Sequence, residues 1–382
     1  MKIVFAIDSL IMGGAEKLAL QYVQYLSQYH KIHLLINEDN GSEKNILFKY
    51  IPKNVTYSYV VDKNIIQKIN FYREAKRNNI IYKLLYNHYL KKRRKSYKKN
   101  IIYILKNMNF DILIDFYCKI PLELCDKNTI VWLHTNMEKI KHKAFLYDKF
   151  RRVKKVIVIN ESMKKQIENH FPKLKNVELL YNPFDITKIK IMSKEIESLT
   201  QKEKLLLNND YILSCSRLDK NKDIESLIYA YINLSQHITE KLYIMGEGPN
   251  YKNLLDIVIK NKMEDKIIFL GTKTNPYIWM KHCNLFVHSS KKEGFGMVIV
   301  EALINGCCVV ATDCPIGPAE ILDNGNCGIL TPVGNIDKLE KSIIKGLNNK
   351  TMRAMFYKNS IIQIDKFSDV NILKRLNDII KE

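Results

Sequence analysis

The strongest constraint in this sequence is an alternation. Short apolar runs trade places with longer stretches of helical period along most of the chain. Residues 2–7 (KIVFAI) form the first run, and residues 15–29 follow with Leu18, Tyr22, Val23 and Leu26 at helical spacing. Runs at 31–36, 111–115, 129–133, 156–159 and 177–180 continue the series. A second series starts at 211–216 and passes through 241–245, 266–270, 284–287 and 307–311, with helical stretches such as 223–238 and 249–263 between. A strand that is apolar throughout is covered on both faces, which is the condition of a parallel sheet flanked by helices. Crossovers in such sheets are right-handed. The chain is therefore expected to be α/β, with two parallel-sheet domains of similar size.

The rhythm breaks twice. Residues 57–108 are basic and aromatic, centred on 91–99 (KKRRKSYKK), and read as a basic helical insertion in the first domain. Residues 186–209 are polar with little core-forming period and read as the interdomain connection. The expected boundaries are thus a first domain at 1–185, the connection at 186–209, a second domain at 210–360 and a final helical segment at 361–382.

Composition narrows the class. At 382 residues, 46% hydrophobic and 26% charged, the chain is long enough for two globular cores and is not disordered. No apolar run reaches the ~18 residues of a membrane span, and Asp8 interrupts the first run too early for a signal peptide, so a cytosolic chain with eight reduced cysteines is expected. The net charge of +21 asks for an anionic partner: nucleic acid, anionic membrane or a phosphorylated substrate. An A/T-rich coding sequence would feed the same excess of Lys, Ile, Asn and Tyr. No nucleic-acid-binding module is present to receive the charge, so nucleic acid is not an expected partner.

Ligands of open parallel sheets collect outside the carboxyl ends of the strands, so the loops there matter most. After the first strand, loop 12–14 leads into Gly13-Gly14-Ala15-Glu16, where paired glycines and a helix N-terminus suit a close-approaching anion or simply a tight turn. At 132–135, His134 ends a strand in Trp-Leu-His-Thr. In the second domain, Arg217 and Lys222 bracket the loop before a helix with Asp223 as N-cap, and two cations there can neutralise a diphosphate. Gly246-Glu247-Gly248-Pro249 reads mainly as a structural turn on the same rim. Glu293-Gly294-Phe295-Gly296 opens a helix, with Glu301 about one turn inside it. Two carboxylates so spaced can contact different hydroxyl groups of one long ligand.

Together these pieces resemble the GT-B glycosyltransferases, specifically the large retaining family-four group working on bacterial surface polysaccharides. The resemblance rests on GGAEK at 13–17, WLHT at 132–135, YNPFD at 181–185, SRLDKNKD at 216–223, GEGP at 246–249, FLG at 269–271, EGFGMVIVE at 293–301 and DCPIGPAEIL at 313–322. It implies two Rossmann-like domains facing across a cleft, with the C-terminal helix crossing back to the first. It implies a nucleotide-sugar donor, UDP-linked by preference, and a lipid-linked or polysaccharide acceptor, as in capsule or lipopolysaccharide synthesis. Gly13 and Gly14 would lie by the donor diphosphate, and Arg217 and Lys222 would neutralise it as it leaves. Glu301 would hold the ribose, Glu293 the transferred sugar with Gly294, Phe295 and Gly296 around it, and Gly271 and Thr272 the base. His134 would stand between donor sugar and acceptor, and Glu16 on the acceptor side. No cofactor is implied, and the chain has no Asp-x-Asp metal signature. A GT-B-fold epimerase, or a non-catalytic homologue that binds the nucleotide sugar, is the alternative. A lipid-linked acceptor would put the chain at the inner face of the cell membrane, and the 91–99 run, with Arg73, Lys76, Arg77 and Lys83 upstream, suits an anionic membrane surface.

Overall fold

A computed structural model describes residues 1–11, 13–76, 79–134 and 143–382. Met12, Arg77 and Thr135, each part of a loop, run or motif named above, lie outside them. The chain divides into two compact units: Met1–Asn182 with Leu373–Glu382, and Pro183–Ile372.

The first unit holds a seven-stranded sheet: β1 (Lys2–Ile7), β2 (Lys31–Glu38), β3 (Thr56–Val61), β4 (Ile112–Asp115), β5 (Thr129–Leu133), β6 (Lys155–Val158) and β7 (Val177–Leu179). Their order is β3-β2-β1-β4-β5-β6-β7, and every pairing is parallel. Five of the six residues of β1 are buried because both faces of a central parallel strand are covered. The helix Gly14–Leu26 buries the expected Leu18, Tyr22, Val23 and Leu26. It stops three residues short of the expected end, and Tyr29, at helical spacing from Leu26, is left exposed. Tyr22, Phe116 and Trp132 meet at ring distances of 4.6–6.0 Å in the core beside it.

The basic insertion is more ordered than its composition suggests. Its start, 56–61, is the edge strand β3, missed because an edge strand with an exposed end need not be an apolar run. Two helices follow, Lys63–Ala75 and Ile80–Lys106. The second exposes Tyr82 and Tyr103 but turns its other tyrosines inward. Tyr86, Tyr89, Leu90 and Tyr97 pack on a small core of Val61, Ile65, Ile66 and Ile69. Arg93 lies on the same inward side and pairs with Glu38 at the end of β2. At 100° per residue the opposite face carries Ile81, Leu84, His88, Lys91, Lys95 and Lys99. Ile80, Ile81 and Leu84 are 60–75% exposed at its start.

The second unit holds a six-stranded sheet: β8 (Tyr211–Cys215), β9 (Lys241–Met245), β10 (Ile267–Gly271), β11 (Leu285–His288), β12 (Val309–Thr312) and β13 (Ile329–Thr331). Its order is β10-β9-β8-β11-β12-β13, again parallel throughout. The three-residue β13 is too short to leave a periodic signal. Residues 186–209 are not a bare connection. They fold into the helices Ile186–Met192 and Gln201–Leu207 and count with this unit. The second opens with a capping box, in which Thr200 Oγ1 accepts from Glu203 N and the Glu203 carboxylate accepts from Thr200 N.

The final helix, Asp369–Lys381, starts in the second unit and ends in the first. Within the first unit Arg375 forks onto Glu178 (2.7 Å), and Asn377 Oδ1 meets His30 Nε2 (2.8 Å). Among the described residues no helix is long and apolar enough to cross a membrane.

Candidate functional site

In the second unit the strand order reverses between β8 and β11, and such a switch point is where ligands of open parallel sheets bind. The loops leaving these two strands are stapled together. Ser289 Oγ donates to Lys222 O (2.8 Å), Lys291 N to Asn221 O (2.7 Å), and Lys291 Nζ pairs with Asp223 Oδ1 (2.7 Å). Asp223 stands at the N-cap position, as expected, but its side chain does not cap. Its backbone is left-handed (φ 49°), and its carboxylate takes Lys291 and the Ser226 hydroxyl instead.

This staple brings two expected site residues into contact. Lys222 Nζ lies 2.5 Å from Glu293 Oε1, and His288 Nε2 lies 2.8 Å from the same oxygen. Glu293 is 8% exposed. Burial works to raise its carboxyl, yet the His288 ring and the Lys222 ammonium outweigh burial and hold it at about 2. Arg217, five residues before Lys222, is free of such a partner: its side chain is 72% exposed and only reaches Asp219 at 3.9 Å. His288 went unread in the sequence because it ends an apolar run (LFVH) and looks like core.

Glu301 lies in the helix Met297–Ile304, where Tyr277 Oη donates to its Oε1 at 3.4 Å. Its charge also falls on the Cys215 thiol at the end of β8, which burial first and Glu301 second push up to about 12. Phe295, expected among the binding residues, supplies no side chain to the rim. It is 4% exposed and packs edge-on against Phe367 at 5.7 Å, because the sharp turn between two glycines drives it inward. Gly296 caps the helix at φ +97°, which a side chain would strain. At Gly294, by contrast, a Cβ would meet nothing within 4 Å, and the same holds at Gly14. Among the described residues, packing makes no demand for glycine at these two positions.

Gly271 ends β10, and Thr272 follows it. Beside it is an open cavity of about 590 Å³ lined by Gly246, Glu247, Gly248, Tyr251 and Phe269. The Gly246–Gly248 turn presses directly on the Arg217 loop: Leu218 N donates to Glu247 O (2.9 Å), and a Cβ on either glycine would collide with the backbone of Ser216 or Leu218.

Gly13, Gly14, Glu16 and His134 belong to the first unit. There the switch point falls between β1 and β4. Gly13 is the N-cap of the first helix, with extended backbone (φ −157°), and Gly14 is its first residue. Glu16, in the first turn, suits the positive end of the helix dipole and folds its carboxylate back over Gly13, where a Cβ would strike it. Burial and then the Glu16 charge push the neighbouring Tyr117 hydroxyl well up. His134 follows β5 and packs against Phe116 (4.4 Å) and Tyr117 (5.6 Å), its ring nearly parallel to that of Trp132. Burial holds its imidazole down at about 4 against a hydrogen bond to the Phe116 backbone, and its buried Nε2 has no partner among the described residues. It is therefore neutral at pH 7.

The charged pairs behind this rim were not read from the sequence. Asp8, past β1, pairs with Lys119, past β4, and accepts from Asn37 Nδ2 (2.9 Å). The loop carrying Lys119 is pinned by a fully buried pair, Asp115 with Lys149 (2.8 Å), whose carboxylate also accepts from Lys119 N and Ile120 N. The available signal was Asp115 closing an otherwise apolar strand.

Residues 195–363 match the family model described as glycosyl transferases group 1. Over 379 residues the chain is 26% identical to the N-acetylgalactosamine-N,N'-diacetylbacillosaminyl-diphospho-undecaprenol 4-alpha-N-acetylgalactosaminyltransferase of Campylobacter jejuni, covering 96% of each chain. Among solved structures, Anabaena HepE in complex with UDP and glucose superposes with a TM-score of 0.73 at 20% identity, covering 100% of this chain and 99% of that one. The lipopolysaccharide outer core galactosyltransferase WaaB does so with a TM-score of 0.72 at 19% identity, over 100% and 99% of the two chains.

Proposed function

We propose that this chain, which has the GT-B fold, is a glycosyltransferase that moves a sugar from a UDP-linked donor to a lipid-linked oligosaccharide or polysaccharide acceptor, with retention of anomeric configuration. The observation that carries this reading is the meeting of Lys222 and Glu293 at the switch point of the second unit. A cation for a diphosphate and an ionised carboxylate for a sugar hydroxyl stand side by side, on two loops held together by further hydrogen bonds.

The chemistry follows from the charges. Breaking the bond between sugar and diphosphate builds positive charge on the ring and negative charge on the departing oxygen. Arg217 and Lys222 stabilise the latter, and donors already in place cost little to reorganise at the moment of reaction. Glu301, in the helix behind the loop, accepts from the ribose hydroxyls, and Glu293 accepts from a hydroxyl of the transferred sugar. Gly271 and Thr272 meet the base. In the first unit, a Cβ at Gly14 would meet nothing within 4 Å among the described residues, which supports a close approach of an anion to that loop's backbone. His134, neutral in its aromatic setting, offers an uncharged ring to the acceptor side, with Glu16 and Gly13 in the same unit. The acceptor hydroxyl attacks from the face the diphosphate leaves, and a diphosphate oxygen takes its proton.

The Campylobacter relative's name gives an undecaprenyl diphosphate-linked acceptor, which supports a lipid-linked acceptor here and with it an anionic membrane surface. The lysine face of the helix Ile80–Lys106 is the surface that suits it.

The test is a panel of nucleotide sugars incubated with a lipid-linked acceptor extract and read by mass spectrometry, with the anomer of the product assigned by NMR. A product enlarged by one sugar of unchanged configuration is expected. Conversion of the nucleotide sugar without transfer would favour an epimerase, and tight UDP binding without turnover a non-catalytic homologue.

A further inference from the structure

Glu293 presents its two oxygens unequally. Oε1 takes both Lys222 Nζ (2.5 Å) and His288 Nε2 (2.8 Å), while Oε2 has no hydrogen bond among the described residues. The two donors also differ in mobility. Lys222 sits at the end of a long side chain on a loop and is 22% exposed. His288 is 2% exposed at the end of β11, its backbone registered against Ala311 and its carbonyl accepting from Thr312 Oγ1 (3.4 Å).

These differences acquire a consequence if Lys222 serves the diphosphate, as proposed above, on which this inference rests. Lys222 cannot give its full attention to Glu293 and to a diphosphate at once. As it turns away, a carboxylate that is 8% exposed would lose its one ammonium partner and with it the reason to keep its place. The imidazole is the partner that stays. We infer that His288 is a positioning residue: it holds Glu293 by Oε1, with Oε2 free for the sugar hydroxyl, while Lys222 is drawn across to the leaving diphosphate. A donor carried on a strand is better suited to this than one on a loop, since a rigid element keeps a site group within the ~0.5 Å that catalysis tolerates.

The experiment compares His288→Ala, which removes the donor, with His288→Gln, whose amide nitrogen reaches the same place as Nε2. His288→Leu stands in for the alanine variant should that variant fail to fold. Transfer kinetics are measured with the nucleotide sugar used by the wild type, and UDP affinity by calorimetry. Loss of the donor should lower kcat by about 10- to 100-fold, the scale of a misplaced reacting group. UDP, which has no sugar for Glu293 to hold, should bind as to the wild type. The glutamine variant should recover most of kcat, and His288→Ala should add little to Glu293→Gln in the double variant. A wild-type kcat in His288→Ala overturns the inference, as does a parallel loss of kcat and UDP affinity in both variants. Glu293→Gln separates the two levels of reading. If it is impaired while His288→Ala is not, only this inference falls; if it turns over normally, the donor-site assignment falls and takes this inference with it.

Discussion

Arg217 and Lys222 carry the same charge on the same loop, but they are not equivalent side chains. Arg217 is mostly in water, so Arg217→Ala should leave stability within about 0.5 kcal/mol of the wild type. Lys222→Ala strips an ammonium from a buried carboxylate, and should cost ~1–3 kcal/mol besides its effect on rate. Each should lower kcat about 10²-fold, the size of one preorganised contact to a developing anion. Turnover assays beside urea unfolding read both quantities, and near-normal turnover in both variants would sink the donor-site assignment. The two glutamates divide differently. Glu301→Gln should weaken binding of free UDP, whereas Glu293→Gln should spare UDP and impair transfer; equal losses of UDP affinity by calorimetry would contradict that division. All four residues stood out in the sequence, because Arg217 and Lys222 bracket the loop before a helix, Glu293 precedes a glycine-flanked turn, and Glu301 lies about one turn inside the helix that follows it. His288 and Asp115 did not, because a polar residue closing an apolar strand looks like the strand's end rather than a site. Asp223 misled in the opposite sense: it holds the cap position, but Lys291, 68 residues away, claims its carboxylate, and no local pattern encodes such a contact.

At the level of elements, the helix Ile80–Lys106 shows most clearly what a sequence leaves open. Lysines and tyrosines interleave along it, and either could face outward until its neighbour is known. Packing against Ile65, Ile66 and Ile69 turns Tyr86, Tyr89 and Tyr97 in, and leaves Lys91, Lys95 and Lys99 in line behind the exposed Ile81 and Leu84. Each lysine near an anionic bilayer contributes about 1 kcal/mol, and apolar residues at the end of the row add burial in the interface. Replacing Lys91, Lys95 and Lys99 by glutamine should therefore abolish binding to phosphatidylglycerol vesicles without loss of fold. Arg93→Gln should spare vesicle binding, because that guanidinium is engaged with Glu38. Wild-type binding should also weaken as salt rises, since exposed charges are screened within about 10 Å at 0.1 M. Equal binding to neutral vesicles, or binding indifferent to salt, would count against a lysine-driven contact. Elsewhere the elements were readable where burial is two-sided, as in β1 and β8, and were missed at two of the four sheet edges. There β3 is half exposed and β13 too short, so neither had to be apolar.

Over the whole molecule the same alternation is used twice, and each unit completes its own sheet and core. Unfolding need not then be a single two-state event, and acid should separate the units because different groups titrate in each. In the first unit, burial holds His134 at about 4 against an ordinary 6.5, and burial also lowers His33. Between those pH values the unfolded chain binds a proton that the folded unit refuses, so stability is lost as pH falls from 6.5 towards 4. In the second unit the groups displaced furthest within the acid range are carboxylates. Glu293 is held at about 2 by His288 and Lys222 despite burial, and Glu203 is held at about 2 by Lys273 and Thr200, both against an ordinary 4.5. Their contribution is complete above 4.5 and disappears only as pH falls towards 2; for the well-buried Glu293 it is roughly 3 kcal/mol. The chain has two tryptophans, Trp132 in the first unit and Trp279 in the second, both fully buried, so Trp279→Phe and Trp132→Phe leave one reporter in each. Urea titrations followed by tryptophan fluorescence should show the Trp132 midpoint declining between pH 6.5 and 4.5 while the Trp279 midpoint holds, and the Trp279 midpoint falling only below that. Midpoints that decline in step over the upper range, or a Trp279 midpoint that falls first, would mean that the imidazoles of the first unit do not set its acid response.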